Sequence, residues 1–171
     1  MFVVLVVAAH VVAPELLYEP LSATRDGRFP ALGYAAFVAL LLATVGYTLA
    51  FVRGPAPLRK FLLGPLVTAA LLVGVLLTPT RTTYHDGLAA AVLVWVTVFF
   101  AVRWLDVSVW VAVGWLVGVI VVTGVPVFVS PPWAQKMLVA CQVVAMNIDA
   151  RRVQRLTTSR RVVRRSRRDF E

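Results

Sequence analysis

The chain has 171 residues, of which 60% are hydrophobic and 15% charged, against about 25% charged in an average soluble domain. Its mean hydropathy is +0.86, and a soluble fold of this length would have to hide nearly every helix on all sides. Composition therefore excludes that class and points to an all-α, polytopic membrane bundle over 1–150 with a basic tail over 151–171. One cysteine, Cys141, excludes an internal disulfide and any multi-cysteine metal site.

The apolar segment 2–13 is short, contains His10 and stops at Pro14–Glu15. It lacks the basic leading region of a signal peptide and reads as an uncleaved first helix running toward Tyr18. Residues 31–52 form the clearest span, about 33 Å long at 1.5 Å per residue. Residues 61–78 form a shorter one, closed by Pro79. Residues 88–105 form another, with Arg103 near its end and long enough to snorkel to headgroups. Residues 107–129 follow, with Pro126 placed to kink the helix near its exit. Residues 137–148 are too few to cross alone, but anchors at Trp133 and Lys136 on one side and Arg151 and Arg152 on the other make a sixth span. The alternative is five spans with an interfacial N-terminus.

Six spans place Arg53, Arg59, Lys60, Arg103 and nine tail arginines on one side, thirteen basic residues in all. The other side receives four: Arg25, Arg28, Arg81 and Lys136. The bias puts both termini in the cytoplasm of a multi-pass cell-membrane protein, or in the equivalent compartment of an organellar inner membrane. Tyr18, Tyr34, Tyr84 and Trp133 then fall at the outer interface, and Tyr47, Trp104 and Trp110 at the inner one, as an aromatic belt requires.

Chemistry-bearing motifs are scarce. His85–Asp86 precedes an apolar run and invites a metal-binding or acid–base reading at the outer face. Thr83 three residues before Asp86 explains the same residues as a helix cap, with the threonine hydroxyl accepting the Asp86 N–H. A metal would need further ligands from Glu15, Glu19 and Asp26, so no metal or cofactor is expected. His10 is the one ionisable group expected at depth, and no buried carboxylate or relay is expected.

Gly114 and Gly118 have the spacing that lets two helix backbones approach; Ala35, Ala39 and Ala43 make a second small-residue ridge, and Ala70 and Gly74 a third. Packing within the bundle is the favoured use, with assembly against other membrane subunits or a second copy as the functional one. Trp95 and Trp115 fall near mid-membrane, as core anchors or lipid contacts. In the tail, Arg160, Arg161, Arg164, Arg165 and Arg168 share one face of a helix. Beside a bilayer such a cluster attracts anionic lipid; the absence of interleaved aromatics disfavours nucleic acid.

The sequence thus leads to a non-catalytic structural, accessory or assembly component of a larger membrane complex. The rival is a small transporter or oligomeric channel lined by His10, Gln142 and Asn147. A membrane enzyme acting through His85 and Asp86 stands third.

Overall fold

The computed structural model describes residues 30–80, 82–129 and 131–168, with side chains described throughout except at 32, 125–129, 131, 133 and 160–168. All regular structure among the described residues is helical: α1 (Pro30–Arg53), a 3-10 helix (Ala56–Phe61), α2 (Leu63–Leu77), α3 (Thr83–Leu105), α4 (Val109–Val129) and α5 (Pro131–Arg168). Among the described residues three helical stretches are long and apolar enough to cross a membrane: Gly33–Arg53, Ala56–Leu77 and Thr83–Leu105, with Val109–Gly124 a shorter apolar one. The expected first span, 2–13, and His10 lie outside the described residues. The segment 137–148 is one part of a helix of 38 residues, and the described residues hold five α-helices of the six expected.

Local chemistry sets the boundaries. α1 stops where Gly54 and Pro55 follow Arg53. α2 stops because Pro79 forces Thr78 into extended backbone, at ψ 139°. The Thr78 N–H and hydroxyl both then donate to the Gly74 carbonyl, each at 3.0 Å. α3 is capped by Thr82, whose hydroxyl accepts the His85 N–H at 3.2 Å. The cap therefore sits one residue before the expected Thr83, because Thr82 is the residue in extended backbone (φ −109°, ψ 147°). α4 continues through Pro126 to Val129, and α5 starts on proline, whose missing N–H costs a first turn nothing.

α1 packs on α2 and α5, and α3 packs on α2, α4 and α5. Helices α1, α2, α3 and α5 thus close a ring, and α4 lies outside it against α3 and α5. The outward faces are apolar at helical spacing, as with Leu42, Val45 and Leu49 on α1 and Val94, Val98 and Val102 on α3, all exposed. A water-facing bundle shows the reverse pattern, so hydrocarbon is the medium that suits these faces.

Side chains stitch neighbouring helices through backbone carbonyls. The Trp95 indole donates to Gly64 O at 3.0 Å, joining α3 to α2. The Trp115 indole donates to Thr97 O at 3.0 Å, joining α4 to α3. Both tryptophans are therefore anchors of the bundle. Around them Phe99, Phe100, Trp104 and Trp115 pack edge to face or tilted, with ring centroids 5.2–5.8 Å apart.

Gly64 marks the closest approach of α2 and α3, because an added Cβ would fall inside the Phe99 ring. Gly46 and Gly114 have open space at the same position. Gly64→Ala should destabilise the purified protein by about 1–3 kcal/mol in a denaturant titration. Gly46→Ala and Gly114→Ala should be neutral or stabilising, by up to about 1 kcal/mol.

Candidate functional site

Three polar residues lie at matched depth on three helices. Tyr47 is six residues, about 9 Å, short of the end of α1; Arg103 is two residues from the end of α3; Asp149 precedes the exposed Arg151 and Arg152 on α5. All three are buried, with relative exposures of 4%, 2% and 1%. The Tyr47 hydroxyl donates to Asp149 Oδ2 at 2.6 Å. Arg103 Nε donates to the same oxygen at 3.2 Å. Arg103 Nη2 lies 3.1 Å from Asp149 Oδ1, but is too poorly aligned for a strong hydrogen bond, so charge holds that limb. The guanidinium carbon sits 4.9 Å from the centroid of the Phe61 ring and 5.9 Å from that of Phe51. Two aromatic faces thus replace water around a cation that has lost its hydration.

The cluster reaches the surface through Asp106. Arg103 Nη1 lies 3.9 Å from Asp106 Oδ2, and Lys60 Nζ donates to Asp106 Oδ1 at 2.6 Å. That hydrogen bond holds the Asp106 carboxyl below the usual aspartate range. The surface bridge is therefore complete above that range and is lost as pH falls through the lowered value.

This geometry overturns three expectations. A buried carboxylate does exist; Arg103 turns inward to meet it instead of snorkelling; Tyr47 is its ligand and no part of an interfacial belt. Tyr34, Tyr84 and Trp110 are exposed, as an interfacial belt requires, whereas Trp104 packs on Phe100 and Trp115.

His85 and Asp86 are not brought together. Asp86 is exposed in the first turn, while His85 is fully buried. His85 Nδ1 lies 3.2 Å from Thr78 Oγ1. The Thr78 hydroxyl also lies within reach of the Gly74 and Val75 carbonyls, and among the described residues the buried His85 Nε2 has no hydrogen-bond partner. Among the described residues no three His, Cys, Asp or Glu side chains cluster as metal ligands; Glu15, Glu19 and Asp26 lie outside them.

Inside the ring, a cavity of about 50 Å³ runs between α1, α2, α3 and α5 and includes Thr44, Thr68 and Gln142 in a mainly apolar wall. The polar groups are largely spent. Thr44 and Thr68 donate to Leu40 O and Gly64 O. Gln142 Nε2 donates to Leu93 O at 2.8 Å and Thr97 Oγ1 at 3.1 Å, joining α5 to α3. Asn147 faces outward and donates to Val143 O.

The small-residue ridges divide. Ala39 is buried and Ala35 half-buried, while Ala43 is exposed. A Cβ at Gly74 would meet Leu88 at 3.3 Å, tighter than ordinary contact, whereas among the described residues nothing lies within 4 Å of one at Gly114 or Gly118. Among the described residues, nothing packs into the Gly114–Gly118 notch. Arg160, Arg161, Arg164, Arg165 and Arg168 all lie on α5, which stays helical through them.

Comparison with protein-family models, curated proteins and solved structures finds no match, so function is read from the geometry itself.

Asp149→Asn leaves Arg103 buried without its counter-charge and should cost about 3–5 kcal/mol of stability. Tyr47→Phe removes one hydrogen bond to a charged group and should cost about 1.5–3 kcal/mol. Arg103→Met and Asp149→Leu combined with Tyr47→Phe should recover most of the Asp149→Asn loss, because the set removes both charges and the hydroxyl bound to them and keeps the volume. Unfolding in detergent, run on all three, checks the order. At the far end, Thr82→Ala should cost about 0.5–2 kcal/mol and Thr83→Ala almost nothing.

Proposed function

We propose that this chain is a non-catalytic membrane protein, a structural or accessory component of a larger membrane assembly. Its Asp149 end and both termini face the cytoplasm on this reading. One observation carries the proposal: Arg103 and Asp149 consume one another's charge, while among the described residues nothing covers the α4 backbone at Gly114 and Gly118. Arg103 and Asp149 close on each other and on Tyr47, which leaves no unpaired charge facing the cavity among the described residues. The Gly114–Gly118 notch is flanked by exposed Val111, Val117 and Val121, the small-and-β-branched relief against which a second membrane helix packs closely. Orientation follows from the thirteen-to-four division of basic residues, and the arginines at 160, 161, 164, 165 and 168 contact anionic lipid at that face.

A second reading, a small transporter or oligomeric channel, draws on the central cavity and on a carboxylate at membrane depth. Its weakness is that the cavity wall is mainly apolar, and such cavities stay dry. Ion flux from liposomes carrying the protein alone would favour it.

With Cys141→Ala as background, a cysteine at the exposed Val117 or Val121 should crosslink in native membranes to another membrane helix, whereas one at the buried Ala112 should not. Gly114→Ile with Gly118→Ile should abolish the crosslinked species and leave the unfolding midpoint unchanged, since both positions face open space. A monomer that never crosslinks from either position contradicts the assembly reading.

A further inference from the structure

α1 and α5 continue past the Arg103–Asp149 contact, with the buried Val153 of α5 near Gly54 at the end of α1. Between them lies an open groove of about 470 Å³ lined by Gly46, Leu49 and Arg53 on one side and Gln154, Thr157 and Thr158 on the other. Its two halves differ in chemistry. Gly46 and Leu49 lie on the membrane side of Arg53 and make an apolar floor, with nothing among the described residues within 4 Å of where a Gly46 Cβ would stand. Arg53 and Gln154, both exposed, mark the start of a polar upper half. Arg151 and Arg155 are exposed on α5 at neighbouring helical positions to Gln154 and Thr158. The groove is therefore apolar up to one level and cationic above it.

No carboxylate answers these arginines among the described residues. At this end Asp149 is buried and bound to Arg103 and Tyr47, and Asp106 is held by Lys60. The Thr157 and Thr158 hydroxyls donate to Val153 O and Gln154 O, so donors for an anion come from Arg53, Gln154 and the flanking arginines. A guanidinium fork matches phosphate oxygens in geometry as well as charge. Basic recesses between membrane helices at the cytoplasmic surface suit acidic headgroups for this reason.

We propose that this groove is a binding site for one anionic phospholipid, its phosphate held by Arg53 and Gln154 and its acyl chain lying over Gly46 and Leu49. Charge complementarity selects the headgroup, because a zwitterionic lipid would bring an ammonium group into a cluster of arginines. The apolar floor selects a lipid over free phosphate. The site is separate from the arginines at 160–168, and it rests on the bundle lying in a bilayer with no dependence on a protein partner.

The test uses the full chain in zwitterionic phosphatidylcholine nanodiscs, to which phosphatidylglycerol is added. Retained lipid is counted by native mass spectrometry and the thermal midpoint is followed. One phosphatidylglycerol per chain should be retained and should raise the midpoint. Arg53→Gln and Gly46→Leu should each weaken retention about tenfold or more and leave the midpoint in pure phosphatidylcholine unchanged. Gly46→Leu is the sharper variant, since it fills the floor without altering charge and has room to fold. Replacing Arg160, Arg161, Arg164 and Arg165 by glutamine should leave the retained lipid in place, and inorganic phosphate should not displace it. Loss in the tail variant with retention in Arg53→Gln and Gly46→Leu would overturn the proposal, as would equal retention of phosphatidylcholine or full competition by phosphate.

Discussion

A single carboxylate fixes the relative height of three helices. Asp149 on α5 receives Tyr47 from α1 and Arg103 from α3, and none of the three can shift by a turn without stranding a charge in an apolar interior. Such an arrangement adds little net stability, because desolvating two ions offsets most of their attraction. What it provides is register. Apolar surfaces in hydrocarbon slide past one another with small penalties, since lipid tails are as apolar as leucine. The charge cluster makes one alignment far better than its neighbours, and Trp95, Trp115 and Gln142 then meet carbonyls at that alignment.

The remaining polar groups follow the same logic at lower stakes. Threonines inside the ring return their protons to their own helices, and Gln142 spends its amide on α3. The interior thus holds a few polar side chains and still presents a mainly apolar wall to the cavity. α4 differs: held on one side by Trp115, it leaves Trp110 and the Gly114–Gly118 notch facing outward.

Much of the helical architecture was legible in the sequence, because uninterrupted apolar runs and Gly–Pro punctuation are local signals. The expected 31–52 and 88–105 match α1 and the body of α3 closely, and Pro79 closes α2 as its chemistry demands. The clasp was harder to see, since Arg103 and Asp149 are 46 positions apart and each lies near a span end, where a long side chain ordinarily reaches water. A usable signal was present: opposite charges at equal distance from the same face on separate helices, with a tyrosine at that depth on a third. His85 misled for another reason. Adjacent residues on a helix point about 100° apart, so pairing it with Asp86 took sequence neighbours for spatial ones. The uninterrupted run of α5 into the tail was hidden by the change from apolar to arginine-rich composition, which ends a hydropathy segment without ending a helix.

The separation of the clasp along the chain also bears on the order of assembly. At roughly 5–20 residues added per second, the 46 positions from Arg103 to Asp149 take on the order of 2–9 s to synthesise. Throughout that interval α3 holds a cation whose counter-charge does not yet exist. Its long aliphatic stem allows the guanidinium to wait among the headgroups, beside Asp106 and Lys60, which are already made. The inward turn of Arg103 must follow the arrival of α5, so the ring closes last at the end where its charges meet. Nascent chains halted before Asp149 would then hold α3 in a shallower seat than the finished protein does.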